Sequence, residues 1–385
     1  MVLTAVLVGE RDGWSVGSPE FGRPFWSWLI RDEAGVFRLP FSRRVSALST
    51  AFRSPHCTRA KISAIGTYVP PKVLTNADLE KMVDTNDEWI MSRTGIKERH
   101  ILEKGQGTSD MAAEAARRCL AMRGIAANEV EAIVVGTVTP DMLFPSTACL
   151  VQTKIGAHGA WGFDVSAGCC GFVFALQAGA KLVESGAHKK VLVIGGDANS
   201  TIVNYKDRTT CILFGDGAGA VLLEPAGEGE VGLIDFVHEI DGSGGPALNL
   251  AAGGSLNPAT AETVAAGMHY IHQDGQTVYK FAVRKMAEAT TKVLERNGIE
   301  GKDLGVFIPH QANKRIITAT ADRLGMPEER VIVNIEKYGN TSGGTIPLAM
   351  GTALEEGKLK KGDLVLLAAA GAGFTVGAAL LRWEF

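Results

Sequence analysis

Three residues of this 385-residue chain stand where a side chain could act on a substrate. Cys169 lies in DVSAGCCGFVFAL (164–176), where a strand-like FDV meets a turn of small residues and a long amphipathic helix begins that ends near Gly186. A cysteine at a helix N-terminus faces free backbone N–H groups and the positive end of the dipole. Both stabilise a thiolate, so a lowered pKa is expected. His310, in DLGVFIPHQAN (303–313), closes a buried strand where a helix starts, and from there neutral Nε2 can donate to a carbonyl or enolate oxygen. Asn340, in EKYGNTSGGTIP (336–347), sits in a Gly- and Ser-rich turn before an apolar helix and offers an uncharged amide donor. Singly, each has a structural explanation: a buried cysteine, a satisfied core histidine, an Asx-turn. Together they are the set that thioester condensation needs. A soft nucleophile accepts an acyl group, and two neutral donors hold an enolate oxygen as CO₂ leaves, where a carboxylate would repel the charge.

Two glycine clusters invite a nucleotide reading, FGDGAGA (214–220) and GAGFTVG (371–377). A dinucleotide fingerprint follows a strand and opens a helix, whereas both clusters lead into apolar β runs, so a Rossmann cofactor site and a redox role are excluded. A formal charge of −3 gives no reason to expect nucleic acid or an anionic membrane as partner. The six cysteines show no CxxC spacing, which points to reduced thiols in a cytoplasmic protein. No apolar run is long enough to span a bilayer, and MVLTAVLVGERDG lacks the basic region of a secretory signal.

The elements that must position the three residues begin at Lys61. Residues 1–60 hold Trp14, Trp26 and Trp28 but no sustained period, and read as a poorly ordered extension or a start upstream of the true one. Glu10, Asp12, Asp32 and Glu33 argue against a targeting peptide. Beyond them, strands are expected at 61–67, 132–137, 190–195, 218–223, 305–308, 364–369 and 376–383. Helices are expected at 76–83 with Asn76 as N-cap, 108–122 capped by Thr108 or Ser109, 278–296, and 311–324. KKVLVIGGD leading to GAGAVLLE is echoed by KKGDLVLLAAAGAG leading to VGAALLRW, which suggests a duplicated α/β unit with halves at 61–233 and 234–385 in one pseudo-twofold body.

The segments VLTNADLEKMVDTNDEWIMSRTGIKERH, DVSAGCCGF, ILFGDGAGA, IPHQAN, YGNTSGGTIPLA and GAGFTVGAALLRW, in that order from about Lys61 to Phe385, resemble β-ketoacyl-acyl-carrier-protein synthase III. The resemblance implies an α/β fold, a thiolase-like five-layer αβαβα body with two pseudo-symmetric halves, and a homodimer. It implies a Cys169–His310–Asn340 triad, with Cys170 as a buried bystander. The oxyanion hole would be the backbone N–H groups of Cys169 and Ala372. The family often has glycine at the latter position, and a main-chain donor tolerates alanine if φ is negative.

By the same resemblance, Trp89, Arg93 and Arg208 grip the nucleotide end of coenzyme A, Asn313 bonds the pantetheine arm, and Phe144 reaches across the dimer to line the partner's acyl pocket. Gln311, Ala312, Asn313, Lys314, Arg315, Lys280 and Arg323 match positions that dock an acidic acyl-carrier protein, with Asp322 standing where a second basic residue is common. No cofactor and no metal are implied, because the coenzyme A thioester is a substrate. The implied activity is decarboxylating condensation of a short acyl-CoA starter, acetyl-CoA being expected, with malonyl-acyl-carrier protein. Rivals are a branched-starter or secondary-metabolite enzyme of the same fold and, from another class, a cysteine-dependent thioesterase. Elongating synthases carry a second histidine where Asn340 stands, and biosynthetic thiolases a second cysteine near the C-terminus. Neither is present here.

Overall fold

The computed structural model describes residues 58–385, together with a short antiparallel pairing of Ile30–Arg31 with Phe37–Arg38. The remaining expectations for residues 1–60 lie outside the described residues, except that the first long strand starts one residue earlier than the sequence suggests, at a buried Ala60.

Five strands form the first sheet: β1 (Ala60–Tyr68), β2 (Ala132–Gly136), β3 (Trp161–Val165), β4 (Val191–Ala198) and β5 (Asp216–Pro225), in the order β1-β5-β4-β2-β3. The AIVVG and VLVIGGDA strands are buried throughout, as expected for unbroken apolar runs covered on both faces. The second sheet holds β6 (Leu233–Ile240), β7 (Val306–Pro309), β8 (Leu364–Gly371) and β9 (Thr375–Arg382), in the order β6-β9-β8-β7. Parallel and antiparallel pairings follow the same sequence in both sheets. An isolated parallel bridge from Phe307 to Val331 takes the place that β3 fills in the first. The two sheets are therefore pseudo-equivalent. Both glycine clusters run into strands, β5 and β9, which removes the geometry of a dinucleotide loop.

Helices complete five layers. On the outside of the first sheet lie α2 (Thr108–Arg123) and α3 (Thr147–Ile155). Between the sheets lie α4 (Gly171–Glu184) and α7 (Thr345–Glu355), and outside the second lie α5 (Gly275–Arg296) and α6 (Lys314–Leu324). Three apolar cores fill the gaps between layers, the central one including Phe172, Leu176, Ile346 and Met350. A helix between two sheets must be apolar all round, which is why α7 is buried along nearly its whole length.

Several helix ends differ from expectation. Thr75, not Asn76, caps the first short helix, which stops at Leu79. Asn76 is instead buried and donates to Asp87 and the Ile96 carbonyl. Gly107 is the N-cap of α2, and the Thr108 hydroxyl is drawn away to the Thr139 carbonyl. The helix after His310 starts at Lys314, because Asn313 accepts from the Arg315 N–H and caps it. One helix at the site was not expected: α1 (Asp87–Thr94), with Asn86 as N-cap.

Candidate active site

Cys169 occupies a tight turn, Gly168–Cys170, that feeds directly into α4. The turn is pressed against the end of β8. A Cβ on Gly371 would lie 2.5 Å from the Cys169 nitrogen, and one on Gly168, which has φ of 53°, would lie 2.7 Å from the Ala372 nitrogen. Only glycine permits this approach. It brings the amides of Cys169 and Ala372 to one place, and among the described residues neither donates to a protein acceptor. Ala372 is not among the residues with positive φ, so its amide is presented without strain.

His310 follows β7 directly and is 2 % exposed. Its Nδ1 lies 2.6 Å from Thr345 Oγ1, which also lies 3.0 Å from the Ser342 carbonyl. The single hydroxyl hydrogen of Thr345 can turn to the Ser342 carbonyl or to Nδ1, and we take the arrangement in which it donates to Nδ1 as the one that arms the imidazole as a donor. The imidazole proton then sits on Nε2, which has no protein partner. Asn340 is held by its backbone between Leu213 and Gly215, and its Oδ1 accepts from the Ser342 N–H at 2.8 Å. That bond fixes the amide orientation and leaves Nδ2 as a donor in the cavity that Cys169 also lines.

The Asn340 turn lies on a bed of glycines at the first sheet. A Cβ on Gly343 would lie 2.8 Å from the Gly136 oxygen, one on Gly344 2.6 Å from the Gly217 oxygen, and one on Gly195 2.2 Å from the Gly343 oxygen. Asp197, wholly buried, pins the turn by accepting from the Gly343 N–H while its other oxygen collects Thr137, Val138 and Thr139. Gly195→Ala should therefore displace the turn. We expect a loss of about 1–3 kcal/mol in stability, as for other overpacked sites, read by thermal denaturation, with a parallel fall in turnover.

Burial pushes the Cys169 thiol up to about 12, with the nearby Asp197 charge adding to it and hydrogen bonds from Ser342 and Asn340 opposing it. This corrects the expectation of a lowered pKa: desolvation and a neighbouring carboxylate outweigh the helix end. Burial also takes His310 down to about 3, so the imidazole is neutral at physiological pH. Cys170 is fully buried, its thiol pushed well above the ordinary range, which fits a bystander.

Cys169, His310 and Asn340 share one cavity of about 680 Å³, whose walls are mostly apolar (Val138, Ile202, Phe214, Leu248, Met286). Trp89, Arg93, Asn313 and Arg315 line it toward the surface. The guanidinium of Arg93 lies 4.9 Å and that of Arg208 5.4 Å from the Trp89 ring, an arrangement able to stack a flat base and meet phosphate. Asn313 spends its Oδ1 on the α6 cap and one amide hydrogen on the Arg93 carbonyl, leaving one hydrogen free. Phe144 does not line this cavity. It is 82 % exposed on a loop with Met142 and Leu143.

Lys314, Arg315 and Arg323 are exposed on α6 and Lys280 on α5, with Asp322 beside them. Gln311 is a correction. It is fully buried, donates to the Pro309 and Ile332 carbonyls and accepts from the Asn334 N–H, so no surface partner can reach it. Ala312 is half-buried at the cavity wall. Sequence reasoning missed Ser342, Thr345, Asp197 and Asn199. The first two follow Asn340 in the same motif, but nothing in local spacing marks the others.

The chain matches the family model described as 3-oxoacyl-[acyl-carrier-protein] synthase III over residues 163–242, and the model of its C-terminal part over 294–383. It is 67 % identical over 328 residues to the β-ketoacyl-[acyl-carrier-protein] synthase III of Koribacter versatilis, covering 85 % of this chain and 98 % of that one. It is 62 % identical to the protein of the same description from Solibacter usitatus, covering 85 % of this chain and 99 % of the relative. The crystal structure of 3-oxoacyl-[acyl-carrier-protein] synthase III from Aquifex aeolicus superposes with a TM-score of 0.78 at 44 % identity, covering 84 % of this chain and all of the other.

Proposed function

The chain belongs to the β-ketoacyl-[acyl-carrier-protein] synthase III family, and on that footing we propose that it condenses a short acyl-CoA starter with malonyl-acyl-carrier protein in two stages at Cys169, initiating type II fatty-acid synthesis. In the first stage the sulfur attacks the acyl-CoA carbonyl, the oxyanion rests on the amides of Cys169 and Ala372, and the thiol proton leaves with coenzyme A. In the second, malonyl-acyl-carrier protein loses CO₂. The enolate oxygen is held by His310 Nε2–H and Asn340 Nδ2–H, and its carbon attacks the acyl-enzyme. Cys169 departs as thiolate and is reprotonated, leaving 3-oxoacyl-acyl-carrier protein. Two neutral donors beside the sulfur carry this reading, because a neutral His310 stabilises a developing anion without ever neutralising it by proton transfer beforehand. Acetyl-CoA and malonyl-acyl-carrier protein supplied together should yield CO₂ and a 3-oxobutyryl carrier in equal amounts. Free acid without CO₂ would instead identify a thioesterase.

Trp89, Arg93 and Arg208 hold the coenzyme A nucleotide in this scheme, with Asn313 on the pantetheine arm. The exposed Met142–Phe144 loop covers the acyl pocket of a second copy in a homodimer. The chain supplies nucleophile, donors and binding groups itself and needs no further cofactor. Among the described residues no helix is long and apolar enough to cross a membrane, and we place the enzyme in the cytoplasm.

The exposed face of Lys314, Arg315, Arg323 and Lys280 docks the carrier protein. Arg315 sits at the mouth of the cavity, its guanidinium 5.4 Å from the Tyr279 ring centroid. Arg315→Glu is expected to raise KM for malonyl-acyl-carrier protein several-fold with little change in kcat or in acetyl-CoA transacylation, the effect fading at high salt. Equal loss in both half-reactions would assign Arg315 to the coenzyme A site instead.

A further inference from the structure

Asn199 follows β4 directly and is 1 % exposed, yet it lines the same mostly apolar cavity as Cys169, His310 and Asn340. Its amide is spent on the segments that hold the Asn340 turn. Nδ2 donates to the Gly215 carbonyl at 2.8 Å and reaches the Asn340 carbonyl at 3.4 Å, while Oδ1 accepts from the Ser342 hydroxyl at 3.0 Å. The orientation of this amide is settled by its partners. Two carbonyls can only accept, so the nitrogen faces them and the oxygen is left for Ser342.

The bond to Oδ1 comes from a strained residue. Ser342 is the one non-glycine residue with positive φ among the described residues, at 48°. A side chain in this left-handed conformation is unfavourable and persists only where the surroundings impose it. In that conformation the Ser342 N–H donates to Asn340 Oδ1 at 2.8 Å, the bond that fixes the Asn340 amide. Gly343, next in the chain, is tied separately to Asp197.

We propose that Asn199 is a positioning residue for decarboxylation: by accepting from the Ser342 hydroxyl it holds Ser342 left-handed, and so keeps the Asn340 amide aimed at the enolate oxygen. The proposal rests on the role given above to Asn340. Asn199 transfers no proton, since its donors and its acceptor are occupied by protein groups. It reaches the chemistry only through Asn340, so its influence belongs to the second stage. Acyl transfer to Cys169 relies on the amides of Cys169 and Ala372, to which Asn199 makes no hydrogen bond.

Asn199→Leu keeps nearly the same volume and removes every hydrogen bond of the amide. It should slow CO₂ release from malonyl-acyl-carrier protein by about tenfold, the scale of one buried hydrogen bond, while single-turnover acetylation of Cys169 by acetyl-CoA stays within about twofold of wild type. The decisive comparison uses Ser342→Gly, because glycine takes the left-handed conformation freely and no longer needs the acceptor. Asn199→Leu combined with Ser342→Gly should therefore release CO₂ faster than Asn199→Leu alone. Ser342→Ala, which keeps the strain without the bond, should lose more than Ser342→Gly. Should Asn199→Leu fail to fold, that second pair carries the same comparison. A role confined to folding would lower both half-reactions together and would gain nothing from glycine at this position. Equal losses in both half-reactions, or a Ser342→Gly variant no faster than Ser342→Ala, would overturn the proposal. A wild-type protein that releases CO₂ no faster than Asn340→Ala would instead overturn the role of Asn340 on which it rests.

Discussion

Cys169→Ser is expected to abolish acyl-enzyme formation, with overall condensation falling by about 10³-fold or more, because a hydroxyl is a far weaker nucleophile and a poorer leaving group than sulfur. The change is nearly isosteric in a turn already fitted against Gly371, so folding should survive and the loss can be read as chemistry. Cys170 cannot take over. It is fully buried, and that burial pushes its thiol well above the ordinary range. Intact-protein mass spectrometry after incubation with acetyl-CoA should show one acetyl group on the wild type and none on the variant. An adduct that persists, or that maps to Cys170, would move the nucleophile.

His310→Ala and Asn340→Ala should each slow malonyl decarboxylation by about 10²-fold or more, while transacylation of Cys169 loses much less. Both side chains donate to an oxygen that becomes charged only as CO₂ departs, so their hydrogen bonds strengthen in that transition state. Removing His310 takes one partner from the Thr345 hydroxyl but leaves it the Ser342 carbonyl, so any loss of thermal stability should be small and separable from the rate effect. The pH dependence carries a distinct sign. An imidazole with its ordinary pKa would protonate as pH falls through the sixes. With His310 held down to about 3, decarboxylation should show no step from this group between about pH 5 and 8. A step in that range that vanishes in His310→Ala would show the histidine to be solvated and acting as a proton donor. Equal losses in both half-reactions would refute the division of labour.

The helix that begins behind Cys169, the strand that ends at His310 and the glycine-rich turn at Asn340 were all legible, because each is encoded in a few consecutive residues. Buried strands such as AIVVG read correctly for the same reason. Helix starts read less well. Thr108 resembles an N-cap in sequence, but its hydroxyl finds Thr139, thirty-one residues away, and Gly107 is left to open the helix. Gln311 looked like part of a surface helix. A strand-end residue with carbonyls on both sides is instead drawn inward, and only the long-range pairing with Ile332 and Asn334 reveals it.

By itself the sequence determined the order of elements, the exclusion of a dinucleotide site, and the identity of the three residues that could do the chemistry. These follow from side-chain type and local period, which neighbours along the chain specify. Only the tertiary structure decided how the three behave. The Cys169 thiol is raised rather than lowered because burial and Asp197, brought from the end of a different strand, outweigh the local helix dipole. The Asn340 amide is oriented by Ser342, and the turn that carries both fits only because Gly136, Gly195 and Gly217 from three strands of the first sheet leave room beneath it. Desolvation and close approach depend on which distant segments arrive at the same place, and no window of sequence contains that information.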